Sequence, residues 1–219
     1  MSCAAAVAIP SLVPVPGGPF RMGSETGRPD ERPVRVVEVE PFLLGRTPVT
    51  NAEYAPFVSA GLAPAPPFWS APAFCGPRHP VVGVTWFEAA WFAEWLGEEL
   101  GGAWRLPTEA EWERAARGGI ADGSTAWGDL LPDGEVPSGP LDGPWPAGAG
   151  TPNGYGLFDM GTIVHEWCLD EYPGDPRRRA SRGGSWRHRV RWSSPSARSS
   201  LLPELRYSDY GFRVLREAP

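Results

Sequence analysis

The chain has no lysine and no glutamine, its asparagines are Asn51 and Asn153 alone, and all 20 of its basic residues are Arg. That usage points to a GC-rich coding bias rather than to a chemistry. Cysteine is scarce too. Cys3, Cys75 and Cys168 contain no CxxC and do not form an even set, so neither a disulfide scaffold nor a zinc knuckle is indicated. No apolar run approaches the roughly 18 residues of a membrane-spanning helix. Met1 to Pro16 is apolar but lacks a basic segment and is broken by Pro10, Pro14 and Pro16, which argues against a secretory signal. A cytoplasmic protein that does not meet membrane is the expectation. The net charge of −6 speaks against general nucleic-acid binding.

What is present is aromatic and turn-forming. Hydrophobic residues at 42% exclude disorder, and 219 residues suffice for one large domain with a proper core. The 11 Trp are a heavy load of large side chains that need partners for their N–H groups. With 27 Gly and 27 Pro, the chain must fold through many turns and few long helices. Strands are expected on either side of Gly17-Gly18, over Val34–Val39, at Phe42–Leu44, over Gly183–Val190 and over Gly211–Leu215. Three helix starts share one signature: Thr50, Thr85 and Thr108 each precede a Glu by three positions, the capping-box spacing. The longest helix, Trp86 to Leu100, is expected to bury Phe87, Ala90, Trp91 and Trp95. Residues 121–152 carry no period of either kind, and a loop that long is functional, disordered or tied down.

Several blocks then occur in a fixed order. They are Gly17-Gly18-Pro19-Phe20-Arg21-Met22-Gly23, Pro48-Val49-Thr50-Asn51, Arg105-Leu106-Pro107-Thr108-Glu109-Ala110-Glu111-Trp112-Glu113, Asn153-Gly154-Tyr155-Gly156-Leu157-Phe158-Asp159-Met160, Arg182-Gly183-Gly184-Ser185-Trp186 and Gly211-Phe212-Arg213. Together they resemble the formylglycine-generating-enzyme, or sulfatase-modifying-factor, family over residues 12–216, with 1–11 as an N-terminal extension. The resemblance implies an α+β class and an irregular C-type-lectin-like fold of short strands, two or three helices and much loop.

The enzymes of that family oxidise a substrate cysteine with O2 and copper(I), held by two thiolates that follow the serine of the Gly-Gly-Ser block by three and eight residues. Soft sulfur suits the soft ion. Here Ser185 is that serine and the two positions hold His188 and, subject to register, Ser193; no cysteine follows Cys168. Copper is therefore not expected. No residue stands out as catalytic, and Ser185 and His188 are the candidates. The resemblance also implies a calcium site at Asp159, Thr162, Val164 and Glu166, all oxygen donors of the kind a hard cation takes. A second family calcium site draws on the long loop, where Glu135-Val136-Pro137 lacks the usual Asn.

Arg177 to Arg191 is rich in Arg, and Trp and Arg together are frequent at binding hot spots. Trp186, Arg187, Arg189, Arg191, Trp192 and Arg198 are the candidate ligand-binding residues. A peptide, a protein or a small anionic ligand is the expected partner. On this reading the chain is a family domain diverged from copper oxidase chemistry toward recognition; the alternative is an oxidoreductase that uses another metal or a partner subunit.

Overall fold

The computed structural model describes residues 9–129, 141–190 and 194–218. Among these residues ten strands, β1 (Leu12–Val15), β2 (Gly18–Met22), β3 (Arg35–Val39), β4 (Phe42–Gly45), β5 (Trp104–Arg105), β6 (His165–Tyr172), β7 (Asp175–Arg182), β8 (Arg198–Leu201), β9 (Tyr210–Phe212) and β10 (Leu215–Glu217), accompany three α-helices. The helices are α1 (Asn51–Ser59), α2 (Trp86–Leu100) and α3 (Glu109–Ala116). One sheet runs β1-β4-β10-β5, a second β8-β7-β6-β9, and β2 pairs with β3 as a ribbon. The class is α+β, as the sequence implies.

All three helix starts form. Thr50, Thr85 and Thr108 each accept the N3 amide while Glu53, Glu88 and Glu111 return to the Thr amide. These boxes satisfy donors that a helix start otherwise leaves open. Glu88 has a second task, because its carboxylate also takes both terminal nitrogens of Arg206. That inward pull sets the rotation of α2 and corrects the expected buried face. Ala89, Phe92, Ala93, Trp95 and Leu96 are buried, whereas Phe87 and Trp91 are exposed. Apolar residues occur all round this helix, so their period could not select the face.

The main core gathers Tyr54 and Phe57 of α1, Phe92, Trp95 and Leu96 of α2, and Trp167 and Phe212 from the second sheet. Tyr54, Phe57, Phe92 and Phe212 meet mostly edge to face, with centroids 5.2–6.2 Å apart, the favoured arrangement for aromatic quadrupoles. A separate cluster of Val82, Trp145, Ile163, Val164 and Trp186 lies beneath the segment after β7. Gly183–Val190 is not a strand. It turns at Ser185–His188, where the His188 amide donates to the Ser185 carbonyl (2.8 Å). The arginines of 177–182 belong instead to the β6–β7 hairpin.

The described parts of 121–152 hold no helix or strand but are tied down by side chains. Trp127 Nε1 donates to the Thr151 and Pro152 carbonyls. Trp145 Nε1 and the Gly148 amide both donate to the Asp159 carboxylate. Glu135-Val136-Pro137 lie outside the described residues.

Candidate functional site

Gly183 opens the site. Its φ of +76° is in the region that favours glycine, and a Cβ there would stand 2.6 Å from Gly161 Cα. This close approach lets the Gly184 amide reach the Gly161 carbonyl and the Trp186 amide the Ile163 carbonyl. Trp186 then drops into the apolar cluster, 6.0 Å from Phe74 and roughly perpendicular to it. With the indole anchored below, Arg187, His188 and Arg189 are all thrown outward. The alternation expected of a strand, with His188 opposite the arginines, is replaced by a turn that puts the three side by side. Trp186 serves as their anchor and does not line the cleft.

The cleft they border has a volume of about 1040 Å³ and is walled by 21–28, the 122–124 turn, His165, and the 194–199 segment. Ser185 is wholly buried under it. Its hydroxyl donates to Asp209 (3.2 Å) and lies 3.3 Å from His188 Nδ1, while its amide donates to that same nitrogen (3.1 Å). A serine so enclosed is a positioning residue for His188 and cannot attack a ligand. Because Nδ1 accepts a backbone N–H, the neutral imidazole carries its proton on Nε2. His165 lies beside it, ring centroids 5.3 Å apart, with Nδ1 donating to the Gly183 carbonyl (2.8 Å).

Both imidazoles resist protonation. Burial lowers the pKa of His165, with His188 and Arg28 adding to the effect and Asp209 opposing it. Burial likewise lowers that of His188, helped by Arg28 and Arg187 and opposed by Asp209. The folded state thus binds fewer protons than the unfolded one below the ordinary histidine value of 6.5. Their contribution to stability is therefore complete at higher pH and is lost as pH falls through that value toward the folded ones. Urea midpoints measured across this window should fall with pH, and His165→Asn should flatten the slope.

Arg198 also lines the wall, but its guanidinium is committed. It pairs with both oxygens of Glu109 and donates to the Asp30 carbonyl (2.7 Å). Glu109 and the fully buried Glu113 in turn hold Arg182, and Glu113 also takes Arg117 and the Gly23 amide. One network of ions fixes α3, β7, β8 and the 23–28 wall to one another. Arg191, Trp192 and Ser193 lie outside the described residues. Arg28 and Asp209 were missed by sequence reasoning, since only tertiary structure brings the 23–33 turns and the residues before Gly211 to this turn.

The four residues of the implied calcium site sit away from the cleft. Asp159 is buried at φ +59°, the one non-Gly residue with positive φ among those described, so Thr162 carries no left-handed strain. Its carboxylate meets only the neutral donors Trp145 and Gly148. Burial is the main cause of its raised pKa, to which Glu166 adds and which those two donors and Arg213 oppose. Glu166 is taken by Arg213 (3.0 Å) and Trp112 (2.7 Å). The carboxylates of Asp159 and Glu166 are hard oxygen donors of the kind a divalent cation takes, and each is already held by protein donors. Among the described residues no three His, Cys, Asp or Glu side chains gather as a metal cluster. Nor is any helix long and apolar enough to cross a membrane.

A family model described as the sulfatase-modifying factor enzyme 1-like domain matches residues 2–218. The formylglycine-generating enzyme of Streptomyces coelicolor is 32% identical, covering 94% of this chain and 89% of its own length. The mouse protein named inactive C-alpha-formylglycine-generating enzyme 2 is 30% identical, with 95% and 86% covered. The structure of PvdO from Pseudomonas aeruginosa superposes with a TM-score of 0.82 at 26% identity, covering 95% of each chain.

Proposed function

Because the chain belongs to the sulfatase-modifying factor enzyme 1-like family, we propose that it is a member diverged from copper oxidase chemistry that works as a ligand- or protein-recognition domain. A relative named formylglycine-generating enzyme and one named inactive C-alpha-formylglycine-generating enzyme 2 match it at similar identity, so the distinction lies in the residues of the cleft. The supporting observation is the turn itself. His188 occupies the position of the first family thiolate, and its Nδ1 is held by the Ser185 amide. Of the described cysteines, Cys75 is exposed and Cys168 is buried, and neither borders the cleft. Burial pushes the Cys168 thiol well up, away from the thiolate that copper(I) needs.

Elemental analysis of the purified protein together with an oxygen electrode tests this. The expected result is no stoichiometric copper or iron and no O2 uptake with thiol peptides. A redox-active metal near one per chain, with O2 consumed, overturns it in favour of an oxidoreductase. The adjacency of His165 and His188 is the feature that favours that rival, with a partner or another metal completing the site.

Calcium at Asp159, Glu166 and the carbonyls of Thr162 and Val164 would serve structure rather than catalysis. Adding calcium to chelator-treated protein is expected to raise the melting temperature. Free calcium at about 100 times its Kd corresponds to roughly 2.7 kcal/mol. Asp159→Ala should lose the response; an unchanged melt in the parent protein refutes the site.

A further inference from the structure

Four exposed residues share the outer face of α2. Phe87, Trp91, Glu94 and Glu98 follow one another at intervals of four, three and four, which stacks them along one side of a helix. The pull of Arg206 on Glu88 sets this rotation, and it leaves Phe87 55% and Trp91 46% exposed. Neither ring is loose. Trp86 meets Phe87 edge to face with centroids 5.5 Å apart, and Phe57 meets Trp91 in the same way at 5.5 Å. Aromatic rings already held in place offer contact area at a low cost in conformational entropy.

The acids that follow run against the needs of the helix. α2 carries Glu88, Glu94, Glu98 and Glu99 and no basic residue. Glu88 is taken by Thr85 and Arg206, whereas the other three are exposed and none of them pairs with a cation among the described residues. Arg216, which packs against Gly102 just past the helix, lies over the Trp104 ring instead. Glu94 and Glu98 repel each other one turn apart, and Glu98 and Glu99 add negative charge to the negative end of the helix dipole. Neither arrangement serves the fold, and both are relieved by cations brought from outside.

We propose that the outer face of α2 docks a basic amphipathic helix of a partner protein, with apolar side chains on Phe87 and Trp91 and Lys or Arg side chains on Glu94 and Glu98. A straight ridge of about four turns suits another helix laid along it. The stretch from Phe87 to Glu94, like that from Trp91 to Glu98, spans about 10 Å, so the partner's apolar and basic side chains stand two turns apart. A second copy of this chain is the poorer occupant, since it brings the same acids and a net charge of −6. A membrane surface suits helices with bases on their polar face, and α2 has none. No residue of α2 lines the cleft, so this surface goes beyond the recognition reading and does not depend on it.

The probe is a dye-labelled amphipathic peptide as long as α2, leucine on one face and lysine on the other, titrated with the full chain and followed by anisotropy. Its Leu/Glu counterpart is the control. The Leu/Lys peptide is expected to saturate, and the Leu/Glu peptide to bind at least about tenfold more weakly. Trp91→Ser should weaken the Leu/Lys peptide by about tenfold or more, the scale of an aromatic anchor. Glu94→Gln/Glu98→Gln should weaken it as much while melting no lower than the parent protein, because a repulsion is removed. Glu38→Gln/Glu40→Gln removes two exposed acids in and beside β3 instead, and should leave binding unchanged. The proposal is overturned if the Leu/Lys peptide does not saturate, if either α2 variant binds it equally, or if the Glu94/Glu98 variant melts well below the parent. It is overturned too if the Glu38/Glu40 variant binds as weakly, which would reduce the effect to general acidity. A dimer seen by sedimentation, or binding to phosphatidylcholine vesicles, that Trp91→Ser abolishes would give the face to another occupant and likewise overturn it. A redox metal in the protein counts only against the recognition reading and leaves this surface untouched.

Discussion

Glu113→Ala should be the most damaging single substitution in this protein, removing about 3–5 kcal/mol of stability. Glu113 is fully buried and accepts from Arg182, from two nitrogens of Arg117 (2.6 and 3.0 Å) and from the Gly23 amide (2.7 Å). Alanine leaves Arg117 and the Gly23 amide without their anion and Arg182 with only the longer carboxylate contact to Glu109 (3.4 Å). Domains of this kind are stable by only about 5–15 kcal/mol, so about a fifth or more of the total is at stake. Chemical denaturation measures it, with Glu113→Gln as the companion that keeps volume and one acceptor oxygen but not charge. A loss below about 1 kcal/mol in the alanine variant would mean that water or rearrangement replaces the carboxylate.

Gly183→Ala is expected to cost about 2–4 kcal/mol, combining left-handed strain with overpacking. The new Cβ would meet Gly161 Cα at 2.6 Å and the Trp112 ring at 3.2 Å, so backbone must move on one side or the other. The effect should reach beyond stability. Gly183 receives the His165 Nδ1 hydrogen bond at its carbonyl and sets the turn that presents Arg187 to Arg189. A melting temperature well below that of the parent protein is the expected result; an unchanged melt would show that the turn relaxes without strain.

The helices were legible because capping is local chemistry: a Thr and a Glu three residues apart announce the same geometry wherever they occur. The face of α2 was not, because Glu88 takes its direction from Arg206, 118 residues away. The turn after β7 was hidden for a related reason. Gly183–Val190 alternates like a strand, but Trp186 is claimed by Ile163, Trp145 and Phe74, and burial of one large indole overrode the period of the rest. Ser185 and His188 do stand together, though as anchor and anchored group. Of the arginines singled out, Arg187 and Arg189 border the cleft, whereas Arg198 is bound up with Glu109. Its partner is 89 residues distant, and a list of charges carries no record of which ones neutralise each other.

Strand β10 is inserted between β4 and β5, with Leu215 opposite both Leu44 and Arg105. A sheet whose middle position is filled by residues 215–217 cannot close until that segment has been made. Until the ribosome has released residues 215–217, β4 and β5 each present an unpaired edge, and the nascent protein must wait in that state. Closure of that sheet is thus tied to this one segment, and loss of residues 215–217 would split a sheet whose other strands had already been made.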